Sequence, residues 1–165
     1  MKIIFRLILL AALAALGFWL WTVFFPSPEK VIRRQLTELA RTATFTAQDS
    51  AIARGLKAQR LVNFFSTDAQ LIFDAPGAGQ RTLTGREEIR ETAAAGFQSV
   101  PSLGVELLDI TIRVDASRRS AEVSCTAKVR SGDNKDFGVQ EMKFVFKKIE
   151  GKWLIARVET VKTLS

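Results

Sequence analysis

LDITIRVDASRRSAEVSCTAKVR, residues Leu108 to Arg130, is the stretch on which the fold turns. In its first half Leu108, Ile110, Ile112 and Val114 alternate with Asp109, Thr111, Arg113 and Asp115. In its second half Ala121, Val123, Cys125, Ala127 and Val129 alternate with Glu122, Ser124, Thr126, Lys128 and Arg130. Successive side chains of a strand point to opposite faces, so a period of two describes strands that bury one face and wet the other. The pattern continues downstream, where Met142, Phe144 and Phe146 are set against Glu141, Lys143 and Lys147. Ile149-Glu150-Gly151-Lys152-Trp153 then reads as a hairpin turn into a last strand, Trp153 to Thr163. The result is an antiparallel meander with one apolar face that must be covered.

The cover lies upstream. Pro26-Ser27-Pro28 ends one segment and starts a helix, with Ser27 placed to cap and Pro28 suited to the first helical position. Ile32, Gln35, Leu36 and Leu39 share one face of that helix, which runs to about Ala40. After a break at Thr42–Thr46, a second helix from about Asp49 to Ser66 carries Ile52, Leu56, Leu61, Phe64 and Phe65 toward the core. Ala69 to Asp74 reads as a strand, Gly77-Ala78-Gly79 as a turn, Arg81 to Thr84 as a short strand, and Arg86 to Phe97 as a third helix. Helices gathered before a one-sided sheet make an α+β domain, residues 26–165.

Residues 1–25 are of another class. From Leu7 to Phe25 the chain carries no charge, and at about 1.5 Å per residue this run matches the ~30 Å hydrocarbon thickness of a bilayer. Ala12-Leu13-Ala14 has the small-x-small form of a signal cleavage site, but cutting there would leave an apolar new terminus. An uncleaved transmembrane anchor is therefore expected, with Trp19 and Trp21 near its far interface. Lys2 and Arg6 before the span are answered by Lys30, Arg33 and Arg34 after it. The very short N-terminus favours a cytoplasmic start and an extracytoplasmic, periplasmic-side domain.

Composition narrows the chemistry. The formal charge is +7, of which Lys2 and Arg6 supply two, so the domain carries a mild basic excess suited to anionic headgroups or acidic partners. No K/R-rich run interleaved with aromatics is present, which argues against nucleic acid. With no His, no Tyr and one cysteine, Cys125, the chain forms no internal disulfide and no Cys-based metal cluster, and no cofactor is expected. Cys125 falls in an apolar series and behaves as a small core hydrophobe.

Three local patterns, in order and at matching spacing, carry a family resemblance. They are Phe64-Phe65-Ser66-Thr67-Asp68-Ala69 before the first strand, Leu83-Thr84-Gly85-Arg86-Glu87-Glu88-Ile89 at the entry to the third helix, and Glu150-Gly151-Lys152-Trp153 in the last hairpin. From about Val31 to Leu164 the chain resembles the nuclear transport factor 2 superfamily, which includes ketosteroid isomerase and the SnoaL-like polyketide cyclases. The resemblance implies a cone-like curved sheet wrapped around helices, a pocket, and homodimers formed through the sheet. Fold alone does not assign function, because members isomerise, cyclise, dehydrate, bind ligands or assemble other proteins.

The resemblance implies, for an isomerase of that kind, a carboxylate base with a Tyr or protonated-acid donor. Here Tyr and His are missing, and Asp68 and Asp74 are the acids nominated for a pocket. A turn or solvent role competes for both. Glu87 and Glu88 favour the start of their helix. Phe64, Phe73, Phe97, Phe144 and Phe146 would line a pocket for an apolar small molecule, or else fill the core. Arg113, Lys128, Arg130, Lys143, Lys147 and Arg157, relieved by Glu122, Glu141 and Glu159, would give the sheet a basic outer face. The expectation is a non-catalytic module, binding a ligand or protein partner; the alternative is an enzyme using a pocket carboxylate.

Overall fold

A computed structural model describes residues 16–17, 27–75, 79–132 and 135–161. The proposed span, with Leu7, Trp19, Trp21 and Phe25, lies outside the described residues except for Leu16 and Gly17. Among the described residues no helix is long and apolar enough to cross a membrane.

Ser27 opens the first helix, α1 (Pro28–Ala43), by accepting the Lys30 N–H at 3.4 Å, with Pro28 at the first position. Helix α2 (Ala51–Leu61) is capped by Ser50, which accepts the Ala53 N–H at 3.2 Å. A 3₁₀ turn, Val62–Phe64, leads directly into β1 (Phe65–Ala75). The second helix is therefore shorter than the expected Asp49–Ser66, and the strand takes Phe65 and Ser66 instead. Strand β2 (Gly79–Thr84) and helix α3 (Gly85–Ser99) follow. Gly85 makes the turn between them at φ 85°, where a Cβ would lie 3.4 Å from the Thr67 carbonyl. Across that turn the Glu88 carboxylate accepts the Thr84 N–H at 2.6 Å, so this acid caps its helix as well as favouring the dipole.

Strands β3 (Leu103–Val114), β4 (Ser120–Ser131), β5 (Lys135–Ile149) and β6 (Lys152–Thr160) complete a six-stranded sheet in the order β2-β1-β6-β5-β4-β3. The meander β3-β4-β5-β6 and the β1–β2 pair are antiparallel, as expected, and β1 pairs with β6 in parallel. The cause is connectivity, since β1 and β6 are joined through everything between them and need no tight turn. The Glu150-Gly151 turn joins β5 to β6 with both residues at positive φ, as expected for this hairpin.

One face of the sheet is buried under the helices. Val123, Cys125, Phe144, Phe146, Trp153, Ile155 and Val158 pack there with Ile32, Leu36, Val62 and Ile89. Two apolar expectations fail. Leu108 is 46% exposed because the register of β3 slips between Leu108 and Thr111, with Asp109 at φ 52°. The bulge inserts residues and turns Leu108 to the outer face, and Leu107 takes its place against the core. On α2, Ile52 and Leu56 are 79% and 49% exposed. The inward positions there are small: Ala58 with Ala93 and Ala94 of α3 lets the two helices approach closely, in a second cluster with Phe45 and Phe97.

Candidate functional site

An open groove of about 1230 Å³ lies between α1, the end of α2 and the turn end of the sheet. Pro28, Val31, Gln35 and Glu38 of α1 form one wall, and Arg60, Asn63 and Phe64 at the end of α2 form another. The third wall is built from two turns, with Asp115 and Arg118 from β3–β4 and Lys148, Gly151 and Lys152 from β5–β6. The Lys148 N–H donates to the Arg119 carbonyl at 2.8 Å and holds the two turns together.

Gln35 ties the helix wall to the sheet, its amide donating to the Trp153 carbonyl at 2.8 Å. Its Oε1 is buried with no hydrogen-bond partner among the described residues, an acceptor whose isolation costs about 1–3 kcal/mol unless a donor reaches it. Asp115 organises the β3–β4 turn. Its carboxylate accepts from the hydroxyls of Ser117 and Ser120 at 2.9 and 3.0 Å and from the Arg119 N–H at 3.2 Å. Those bonds, the Ser117 hydroxyl foremost, hold its carboxyl below the ordinary carboxylate range. The groove is thus polar at its rim and, among the described residues, has no aligned acid–base pair at its floor.

The nominated acids lie elsewhere. Asp68 is exposed on β1, its carboxyl drawn below the usual value first by the Ser66 hydroxyl and then by a backbone N–H. Asp74 is exposed in the β1–β2 hairpin, opposite Gln80. The five phenylalanines do not share one pocket. Phe144 and Phe146 are core neighbours with ring centroids 6.5 Å apart, and Phe64 packs at the edge of the same cluster while also walling the groove. Phe97 belongs to the second cluster, its ring 5.1 Å from Phe45. Phe73 is half-buried opposite Arg81.

The outer sheet face is mixed rather than basic. Arg130 pairs with Glu106 at 3.5 Å, Arg157 with Glu159 at 2.9 Å, and Lys143 and Arg113 stand across the strands from Glu159 and Glu122. Sequence reasoning missed Gln35, Arg60, Arg118, Lys148 and Lys152 as site residues. The basic doublets in SRRS and KKIEGK were visible, but only the sheet order shows that the two turns meet.

Among the described residues no group of three His, Cys, Asp or Glu side chains is placed to hold a metal ion. Cys125 is buried on the inner sheet face, and burial pushes its thiol up to about 11. A thiol reagent at pH 8 is therefore expected to leave the folded protein unmodified by intact mass and to label it fully in 6 M guanidinium. Rapid labelling of the folded chain would contradict this burial.

The sequence pattern of the SnoaL-like domain matches residues 42–159. No curated protein matches the sequence. Among solved structures, an NTF2-like protein with a cystatin-like fold from Novosphingobium aromaticivorans is similar at TM-score 0.63 and 19% identity, over 92% of this chain and 88% of that one. A second protein from the same organism, named as a candidate scytalone dehydratase, is similar at TM-score 0.60 and 18% identity over 82% and 84% of the two chains. The yeast UBP3-associated protein BRE5 is similar at TM-score 0.64 and 14% identity over 84% and 100%. At these identities the structures share the fold alone. The SnoaL-like match, which covers well over half of the sequence and every strand of the curved sheet, shows that this chain belongs to the SnoaL-like domain family.

Proposed function

We propose that this protein is a non-catalytic binding or assembly module, held at a membrane by residues 1–25 with its domain on the extracytoplasmic side. The observation that carries the reading is the position of the acids. Asp68 and Asp74 are both exposed, while the centre of the inner sheet face, Val123, Phe144, Phe146, Trp153, Ile155 and Val158, is packed with apolar side chains at 4% exposure or less. General acid–base chemistry needs a group within hydrogen-bond reach of a bound substrate in a site that excludes water. The absence of His and Tyr from the sequence supports the same reading. The groove, with its polar rim and the orphan Gln35 acceptor, suits a polar partner segment better than an apolar small molecule. Self-association through the outer sheet face, which the family resemblance implies, would use the alternating Arg and Glu side chains there in a self-complementary way. The alternative, an isomerase, cyclase or dehydratase, draws its support from the relative named as a candidate dehydratase.

The test compares the full-length protein with Asp68→Asn and Asp74→Asn. Both variants are expected to keep their fold and their partner capture unchanged, and none of the three is expected to turn over hydroxyketones or ketones in isomerase, dehydratase and cyclase assays. Robust turnover lost in Asp74→Asn with the fold intact would make the enzyme reading the answer. The mature chain is also expected to retain Met1 by intact mass and to stay with membranes through high-salt washing; a chain starting near Ala15 would remove the anchor.

A further inference from the structure

The groove carries a basic excess. It is lined by five basic side chains, Arg41, Arg60, Arg118, Lys148 and Lys152, against three acidic ones, Glu29, Glu38 and Asp115. Two of those three acids are already engaged: Glu38 accepts from Arg41 at 2.6 Å, and Asp115 is spent on its own turn. Lys148, Lys152, Arg118 and Arg119 are all exposed.

The second observation is covalent. Ser27 and Pro28 line the same groove, and the apolar run ends at Phe25. Three residues of extended chain reach about 10 Å, close to the Debye length of about 8 Å at physiological ionic strength. A span ending at Phe25 thus brings the end of the groove lined by Ser27 and Pro28 to within about 10 Å of the lipid headgroups. Lys and Arg so placed attract anionic lipids and lose that attraction with salt.

We propose that the groove face docks on anionic phospholipid headgroups beside the point where the chain enters the membrane, with Arg118, Arg119, Lys148 and Lys152 of the two turns as its contacts. Docking fixes the tilt of the domain, so that the outer sheet face and the edge strands stay turned to solvent. This inference rests on residues 1–25 spanning the bilayer.

The experiment uses the full chain in phosphatidylcholine vesicles with or without 30% phosphatidylglycerol. Because Cys125 is buried, one added cysteine at a time reports position: Ala116→Cys in the β3–β4 turn, and Gln98→Cys at the exposed end of α3. A nitroxide on each is read for collision with a water-soluble nickel chelate. At 50 mM salt, accessibility at Ala116 is expected to fall at least threefold in the anionic vesicles and to recover at 500 mM salt, while Gln98 stays unchanged. Lys148→Gln with Lys152→Gln, checked for fold by circular dichroism, should abolish most of the protection. An Ala116 probe equally accessible in both vesicles, or protection that survives salt and the double substitution, would overturn the proposal and leave the basic face to an acidic protein. Flotation with the neutral vesicles separates the two readings. A chain that fails to float after a high-salt wash overturns the anchor and the docking together, whereas one that floats without protection at Ala116 overturns the docking alone.

Discussion

Phe146→Ala is expected to destabilise the protein by about 3–5 kcal/mol, as large a loss as truncating any one side chain of this core should bring. Phe146 is 1% exposed at the middle of the sheet, beside Ala121 of β4 and Ile155 of β6, with Phe144 two residues away on the same face. The alanine on one side offers little side chain to collapse into the void, so the cavity term adds fully to the lost transfer energy. Against a typical total of about 5–15 kcal/mol, that loss is a large fraction of the whole. Chemical denaturation followed by circular dichroism at 218 nm should show a much lower midpoint with an unchanged slope. A shift equivalent to less than about 1 kcal/mol would mean that the core around Phe146 is loosely packed.

Arg54→Met should cost about 2–3 kcal/mol, by a different route. The Arg54 guanidinium donates to the carbonyls of Val100 and Pro101 at 3.0 and 2.9 Å and to Phe97 at 3.4 Å, and its Nε donates to Asp49 at 3.1 Å. It also lies 4.8 Å from the Phe45 ring centroid. One side chain thus ties α2 to the end of α3 and to the entry of β3. Methionine keeps much of the stem and removes every one of those donors. Arg54→Lys should not rescue the loss, because a point charge cannot reproduce a planar fork to three carbonyls. Hydrogen exchange should quicken in α2 and at the end of α3 while β4 and β5 stay protected. Uniform quickening would assign Arg54 a place in the global core instead.

The contrast between these two residues shows where the sequence was legible. Phe146 sits in a period-two pattern, and a period is a local property that survives whatever the rest of the chain does. The same holds for Cys125, for the Ser27 cap and for the Glu150-Gly151 turn. Arg54 has no pattern. Three of the carbonyls it serves are 43 to 47 residues away, at the end of α3 and in the loop after it, and their position depends on the finished fold. Leu108 fails for a related reason: the alternation in β3 is real, but one bulge shifts its phase, and nothing in the residues Leu108-Asp109-Ile110 marks the shift. The exposed Ile52 and Leu56 misled because helix–helix approach is set by the small residues, which carry little weight in an apolar count.

The same bulge bears on a hazard of open sheets. Strand β3 is an outer strand, and an outer strand with a free row of backbone donors and acceptors invites pairing by a foreign chain and growth into fibres. Here that row is interrupted at its start and again past its middle. The Ile110 carbonyl, next to the bulge, accepts from Arg33 of α1 at 3.1 Å, and Leu103 exchanges hydrogen bonds with Phe45 at 2.8 and 2.9 Å. A blunted rim of this kind lets copies of the protein meet at high concentration without templating aggregation.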